Sequence, residues 1–135
     1  MNPPENEYIE LIKDFIAYGL WMRPLIHACH LDTNSYSRHI ALETYYEEVD
    51  DLVDEIAEVS KGRYSIDLFQ GIAGIPMKFT YERDSGAVEI IRRFDDFCQK
   101  LMDSADGVND AWLSNLLQAV QALNGRTIYK LNYLH

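Results

Sequence analysis

A histidine and eight carboxylates share one stretch of the chain from which lysine and arginine are absent. The stretch lies between Arg38 and Lys61 and reads HIALETYYEEVDDLVDEIAEVS. Helices usually mix the two signs of charge, because Glu and Lys one turn apart attract each other whereas like charges repel. Imidazole and carboxylate together suit first-row divalent metals, such as iron, zinc or manganese. The stretch therefore raises the hypothesis of a metal site.

The spacing of these groups predicts that they share one face of a helix. At ~100° per residue they fall within an arc of about 100°. The residues on this arc, called the acidic face below, are His39, Glu43, Asp54 and Glu58, with Glu47 and Asp50 between them. The apolar residues of the same segment centre on the opposite side, so we expect the acidic face to point away from the core of its own bundle.

A single chain cannot bring all of these groups to one metal ion. Fifteen residues separate His39 from Asp54, a rise of about 22 Å, whereas metal ligands lie within ~2–2.5 Å of the ion. Two copies of the helix packed antiparallel across a two-fold axis remove this conflict, and symmetry then makes two sites. Each site would combine His39 and Glu43 with Asp54 and Glu58 of the partner subunit.

Three of the four histidines lie near the same predicted loop, namely His27, His30 and His39. His27 comes just before that loop and His39 just after it, so both are expected at a similar height in the bundle. His30 is one turn from His27 and is an accessory candidate, as are Asp50 and Glu47. A surface role for His30 stays open.

Helical periodicity predicts an all-α chain forming one domain over residues 1–135. The helices are expected at about 5–30, 36–60, 85–104 and 109–133. Pro24 should kink the first helix or split it near Met22. Gly62 should end the second.

The link between the second and third helices is too long and too apolar for a tight turn. It should contain a short helix near 66–72 and extended chain through KFTYE. A long crossover lets the second and third helices run parallel, which is the ferritin-like form of the four-helix bundle.

One apolar stripe per helix is expected to build the core. The stripes are Ile9, Ile12, Ile16 and Leu20; Tyr45, Val49, Leu52 and Ile56; Ile90, Phe94, Phe97 and Leu101; and Leu113, Leu116, Val120 and Leu123. Asn34, Ser35 or Ser37 should cap the second helix, and Ser85 the third.

Composition narrows the classes of function. The net charge of −10 argues against a nucleic-acid binder with a basic surface, so DNA binding is not expected. No apolar run approaches the ~20 residues of a membrane span, and the start MNPPENEYIE lacks the pattern of an export signal. Cys29 and Cys98 lack a CxxC pattern and read as core residues, which favours a reducing cytoplasm.

The spacing of the candidate ligands resembles that of Dps, the miniferritin family of DNA-binding proteins from starved cells. The family carries a histidine late in its first helix, a second histidine twelve residues on, a carboxylate four further, an Asp eleven further and a Glu four beyond. Here these positions are His27, His39, Glu43, Asp54 and Glu58. The segment YYEEVDDLVDEIAE is also similar to the family's second helix. The ungapped likeness covers His27 to Glu58.

The resemblance implies a ferroxidase site shared by two subunits, the first three ligands from one and the last two from its partner. It implies Fe(II) oxidation and iron storage in an oligomer that is either a two-fold dimer through the second helix or a closed cage of such dimers. Glu43 stands where the family usually has Asp. Ala28 stands where it commonly has a tryptophan after the first histidine, and the family's basic DNA-binding tail is absent.

Two other classes of function stay open at this point. One is a non-catalytic ferritin-like protein that binds zinc or another ion structurally, or no ion. The other is an acidic helical protein that binds a partner through the same face without metal, although interface hot spots are usually Trp, Tyr or Arg.

Overall fold

A computed structural model describes residues 3–68 and 83–134. Four α-helices and no strands occur in these two ranges. The helices are α1 (Pro3–Asp32), α2 (Tyr36–Tyr64), α3 (Ser85–Gly107) and α4 (Ala111–Tyr133). They pack as a four-helix bundle in which α1 contacts α2 and α3, and α4 contacts the same two helices. The predicted all-α class is confirmed.

The core is built from one apolar side of each helix, as the stripes predict. The buried members of the stripes are Ile12, Ile16, Tyr45, Val49, Ile56, Ile90, Phe94, Leu101, Leu113, Val120 and Leu123, and the others are partly buried against them. Cys29 and Cys98 are also buried there as thiols. Phe15 and Tyr18 of α1 both stack on Phe94 of α3, with ring centroids 5.1 and 5.6 Å apart.

Contacts at one end of the bundle join the beginning of α1 to the end of α2 and the beginning of α4. The hydroxyls of Tyr8 and Tyr64 both donate to the carboxylate of Asp110, the residue before α4. Burial and the bond to Asp110 raise the pKa of Tyr64 to about 12. These two phenols therefore stay protonated and act as donors throughout the physiological range.

Contacts at the other end join the end of α1 to the beginning of α3. The hydroxyl of Thr33 donates to Asp84 at 2.7 Å, and Arg83 pairs with Asp32 at 3.4 Å. Arg38, in the first turn of α2, lies 4.0 Å from the same Asp84. Helices α2 and α3 therefore begin at the same end of the bundle and run parallel, diagonally opposite each other.

Five helix boundaries differ from the predictions: both ends of α1, the ends of α2 and α3, and the beginning of α4. Helix α2 continues past Gly62 to Tyr64, because Ser65 adopts the left-handed conformation and its N–H bonds the carbonyl of Lys61. This is the αL type of helix end, formed here without glycine. Asp84, not Ser85, precedes α3, and α4 begins at Ala111 rather than at residue 109.

The capping and proline predictions have separate outcomes. Ser35 caps α2 and accepts from the N–H of Arg38 at 3.3 Å, so one of the three predicted caps is confirmed. Helix α1 runs through Pro24 without being split, so the alternative of a break near Met22 is wrong, whereas a kink at Pro24 stays a prediction. The predicted extended chain and most of the predicted short helix at 66–72 lie outside the described residues. Over the described ranges, no helix is long and apolar enough to cross a membrane.

Candidate metal centre

The centre of the site is a reciprocal pair of histidines where α1 ends and α2 begins. The Nδ1 atom of His30 lies 2.6 Å from the carbonyl oxygen of His39. The Nδ1 atom of His39 lies 2.8 Å from the carbonyl oxygen of His30. Their rings stack with centroids 3.6 Å apart and 20° between planes. Each histidine thus binds the main chain of the other.

This pairing fixes which nitrogen of each ring carries the proton. A carbonyl oxygen only accepts, so the Nδ1 atom must donate in both bonds. In the neutral imidazole, Nε2 then keeps its lone pair, which is the arrangement found in metal-binding histidines whose other nitrogen is held by a carbonyl. The His30 carbonyl belongs to the last turn of α1, where helix carbonyls lack a partner within the helix, so His39 also caps α1.

His27 and Tyr46 extend the cluster outward from this pair. The His27 ring lies 5.8 Å from that of His30 and 5.0 Å from that of Tyr46, measured between centroids. Tyr46 is buried and meets His30 edge-on at 5.6 Å. His27 itself is exposed. The ring contacts join His27 to His39 through His30, so the predicted common height of His27 and His39 agrees with the geometry.

The carboxylates of the acidic face lie along the outside of α2. Asp54 and Glu58 are exposed, whereas Glu43 is half-buried near the histidines. Because α2 is one continuous helix, Asp54 and Glu58 lie far from His39 in the same chain. Within the two described ranges, no three His, Cys, Asp or Glu side chains come close enough to hold a metal ion.

Two arginines from neighbouring helices supply part of the positive charge that the stretch itself lacks. Arg23 of α1 lies 3.5 Å from Asp50 and also over the ring of Tyr46, 5.1 Å from its centroid. Arg126 of α4 lies 3.7 Å from Glu48. Asp50, an accessory candidate, is therefore held by an arginine.

The other carboxylates of the acidic face have no such partner. Among the described residues, Glu43, Glu47, Asp54 and Glu58 form no ion pair. Burial raises the pKa of Asp54, and the charges of Asp50, Glu58 and Asp51 raise it further. The far end of the acidic face is thus a site of like-charge repulsion, which a bound cation would relieve.

The sequence did not reveal the contacts of Arg23 and Tyr46, nor the stacking of His30 on His39. Spacing along one helix does not show which residues of another helix lie beside it. The ion pair of Arg23 with Asp50 could therefore not be predicted from the sequence. Tyr46 stands within the quoted YYEE segment, and its size and position one turn from Glu43 were the only signals available.

The fold and site together define an all-helical four-helix bundle whose second helix carries a histidine–carboxylate face. The chain belongs to DUF5856, a family of unknown function, which it matches over residues 30–131. That range includes the His30–His39 pair and the whole acidic face but not His27. A comparison with curated proteins finds no match.

Proposed function

We propose that the protein binds Fe(II) between two subunits, oxidises it and stores the product within an oligomer, in the manner of a Dps-like miniferritin. The observation that carries the proposal is the division of the acidic face into two incomplete halves. The histidine half offers His39, whose tautomer is set by the carbonyl of His30, and the exposed His27. The carboxylate half offers the oxygens of Asp54 and Glu58, which form no ion pair among the described residues.

The topology supports the ferritin-like part of this proposal. Helix α2 ends beside the beginning of α4, and α3 begins at the opposite end of the bundle, beside the end of α1. The end of α2 and the beginning of α3 therefore lie at opposite ends of the bundle. A long crossover between two parallel, diagonal helices is the connection that distinguishes ferritin-like bundles from simple up-and-down bundles.

Two-fold packing of α2 against its symmetry mate completes each half. His27, His39 and Glu43 of one subunit would bind the metal together with Asp54 and Glu58 of the partner subunit. The imidazoles bind through a neutral nitrogen, and the carboxylates offset the positive charge of the ion. The exposure of His27, Asp54 and Glu58 in one chain leaves them available for this packing.

Iron is the substrate of this reaction. Two Fe(II) ions give up one electron each, and hydrogen peroxide takes both electrons with two protons to form two water molecules. Dioxygen is the alternative oxidant and takes four electrons and four protons to form two water molecules. The net charge of −10 favours the approach of cations and retention of the Fe(III) product.

The test compares two isosteric variants of α2 in aerobic Fe(II) oxidation, with and without peroxide. Glu58→Gln removes a proposed ligand, whereas Glu55→Gln removes a charge that is also exposed but lies outside the arc of the acidic face. We expect Glu58→Gln to lower the initial rate of Fe(III) formation at least tenfold, and Glu55→Gln to stay within about twofold of wild type. Ultraviolet absorbance follows oxidation, and light scattering follows mineral growth.

Equal rates for wild type, both variants and a protein-free control would overturn the ferroxidase proposal. Metal binding by wild type without iron turnover would favour the alternative of a non-catalytic ferritin-like protein with a structural ion. The feature of this chain that supports that alternative is Ala28, which stands where the Dps family commonly has a tryptophan. The mass of the same samples, from size exclusion with light scattering, distinguishes a dimer from a cage.

A further inference from the structure

We infer that His30 is a positioning residue, which acts through His39 rather than as a metal ligand itself. This inference rests on the proposed metal site and adds to it the device that orients its central imidazole. The device is the reciprocal pair, in which the side chain of each histidine binds the main chain of the other.

His30 is only 7% exposed and lies under His27 and against the edge of Tyr46. His39 is half-buried, and it belongs to the acidic face of α2. A residue enclosed by α1, Tyr46 and His39 is well placed to support a ligand and poorly placed to meet a partner subunit.

The His39 ring is held by a hydrogen bond to the end of α1. Its Nδ1–H donates to the carbonyl of His30, which orients the ring and leaves Nε2 as the donor atom for metal. That carbonyl stays in place only while α1 and α2 keep their separation. The 2.6 Å bond from His30 Nδ1 to the His39 carbonyl holds that separation, and the two rings stack beside it with centroids 3.6 Å apart.

The pair therefore connects two helix ends and one ligand in a closed cycle of hydrogen bonds. Groups that orient a metal-binding histidine typically change metal affinity by roughly ten- to a hundredfold when they are removed. An effect of this size is expected from loss of the His30 side chain, even though no bond from His30 to metal is broken.

Two substitutions separate positioning from ligation. In His30→Asn the side-chain amide nitrogen takes the place of Nδ1 and can still donate to the His39 carbonyl, but the variant lacks the Nε2 atom. In His30→Leu the site keeps an apolar side chain and loses the donor. Purified full-length protein is titrated with Co(II), whose absorption spectrum reports on its ligands, and thermal unfolding of each variant is recorded without metal.

The expected result is that His30→Leu weakens Co(II) binding by roughly ten- to a hundredfold, whereas His30→Asn stays near wild type. Nitrogen-detected NMR of the histidine rings should show His39 protonated at Nδ1 in wild type and His30→Asn, and a mixture of tautomers in His30→Leu. Equal loss of Co(II) affinity in both variants would overturn positioning and make His30 a ligand. Unchanged affinity and unchanged tautomers in His30→Leu would leave it no role and would also overturn the inference.

The NMR measurement needs no metal, so it separates this inference from the proposed function. Absence of metal binding by wild type, together with the expected tautomer pattern, would defeat the proposed function and leave the positioning role standing. Iron oxidation by wild type with no difference between His30→Asn and His30→Leu would leave the proposed function standing and overturn the positioning role. A fall in thermal stability alone, with tautomers unchanged, would show a purely structural residue and contradict the inference.

Discussion

At the scale of single residues, the site depends on what each polar side chain binds. His39 is held by a main-chain carbonyl and a stacked ring, and Asp50 by an arginine. Burial and the charges of Asp50, Glu58 and Asp51 raise the pKa of Asp54. A histidine that is already oriented and a carboxylate that repels its neighbours are the two kinds of group that gain most from a shared cation.

The raised pKa of Asp54 predicts how the stability of the protein changes with pH. Its pKa is raised above the ordinary value of 3.8, so the folded state binds a proton there more tightly than the unfolded state does. Stability is therefore lost as pH rises through this raised pKa, and Asp54→Asn should raise the melting temperature of metal-free protein at pH 7. Below the pKa of the unfolded state both states hold the proton, so the stabilisation by Asp54→Asn should vanish there.

Thermal unfolding in a chelator at pH 7 and at acid pH measures this effect. Added salt should reduce it, because exposed charges are screened. A lower melting temperature for Asp54→Asn at pH 7 would show that Asp54 makes a favourable contact, against the expectation.

At the scale of the helices, the close approach of α1 and α2 depends on Gly19. A Cβ atom at this buried position would lie 2.7 Å from Cγ2 of Val53, a stiff β-branched side chain. Gly19→Ala should therefore lower the free energy of unfolding by about 1–3 kcal/mol, because overpacking outweighs the gain in helix propensity.

Gly125 of α4 is the matched control, since nothing lies within 4 Å of a Cβ atom there. Gly125→Ala should stabilise the protein by about 0.5–1 kcal/mol through helix propensity alone. Urea unfolding of both variants measures the two effects. Equal stabilisation by both substitutions would show that α1 and α2 are not constrained at Gly19.

The four helices could be predicted from the sequence, but not all of their ends. Periodicity predicted the four helices and their buried stripes, because apolar residues such as Ile12, Tyr45 and Phe94 recur at helical spacing. The end of α2 was missed, because one glycine costs a helix only ~1 kcal/mol and Tyr64 gains a hydrogen bond to Asp110 from a distant part of the chain.

The candidate site was predictable to the extent that its residues share one helix. The arc from His39 to Glu58 follows from 3.6 residues per turn. The stacking of His30 on His39 depends on how the loop between α1 and α2 turns, and spacing does not encode this. The ring contact between His30 and His39 was therefore not predicted from the sequence.

At the scale of the whole molecule, the central claim is that the metal site needs two subunits. A two-fold axis gives each dimer two sites, each with the histidine half of one subunit and the carboxylate half of the other. Glu43→Gln damages only the first half and Glu58→Gln only the second. Both substitutions keep the shape of the side chain, and neither residue has an ion-pair partner in the part of the chain that the structure describes.

The most direct test is to co-express these two variants and measure metal binding and iron oxidation by the mixed assemblies. Each variant alone should lack intact sites. With random pairing, half of the dimers are mixed and hold one intact and one doubly damaged site, so about a quarter of wild-type activity should return. Activity in wild type with no recovery in the mixture would contradict the account, because it would show that the ligands come from one subunit.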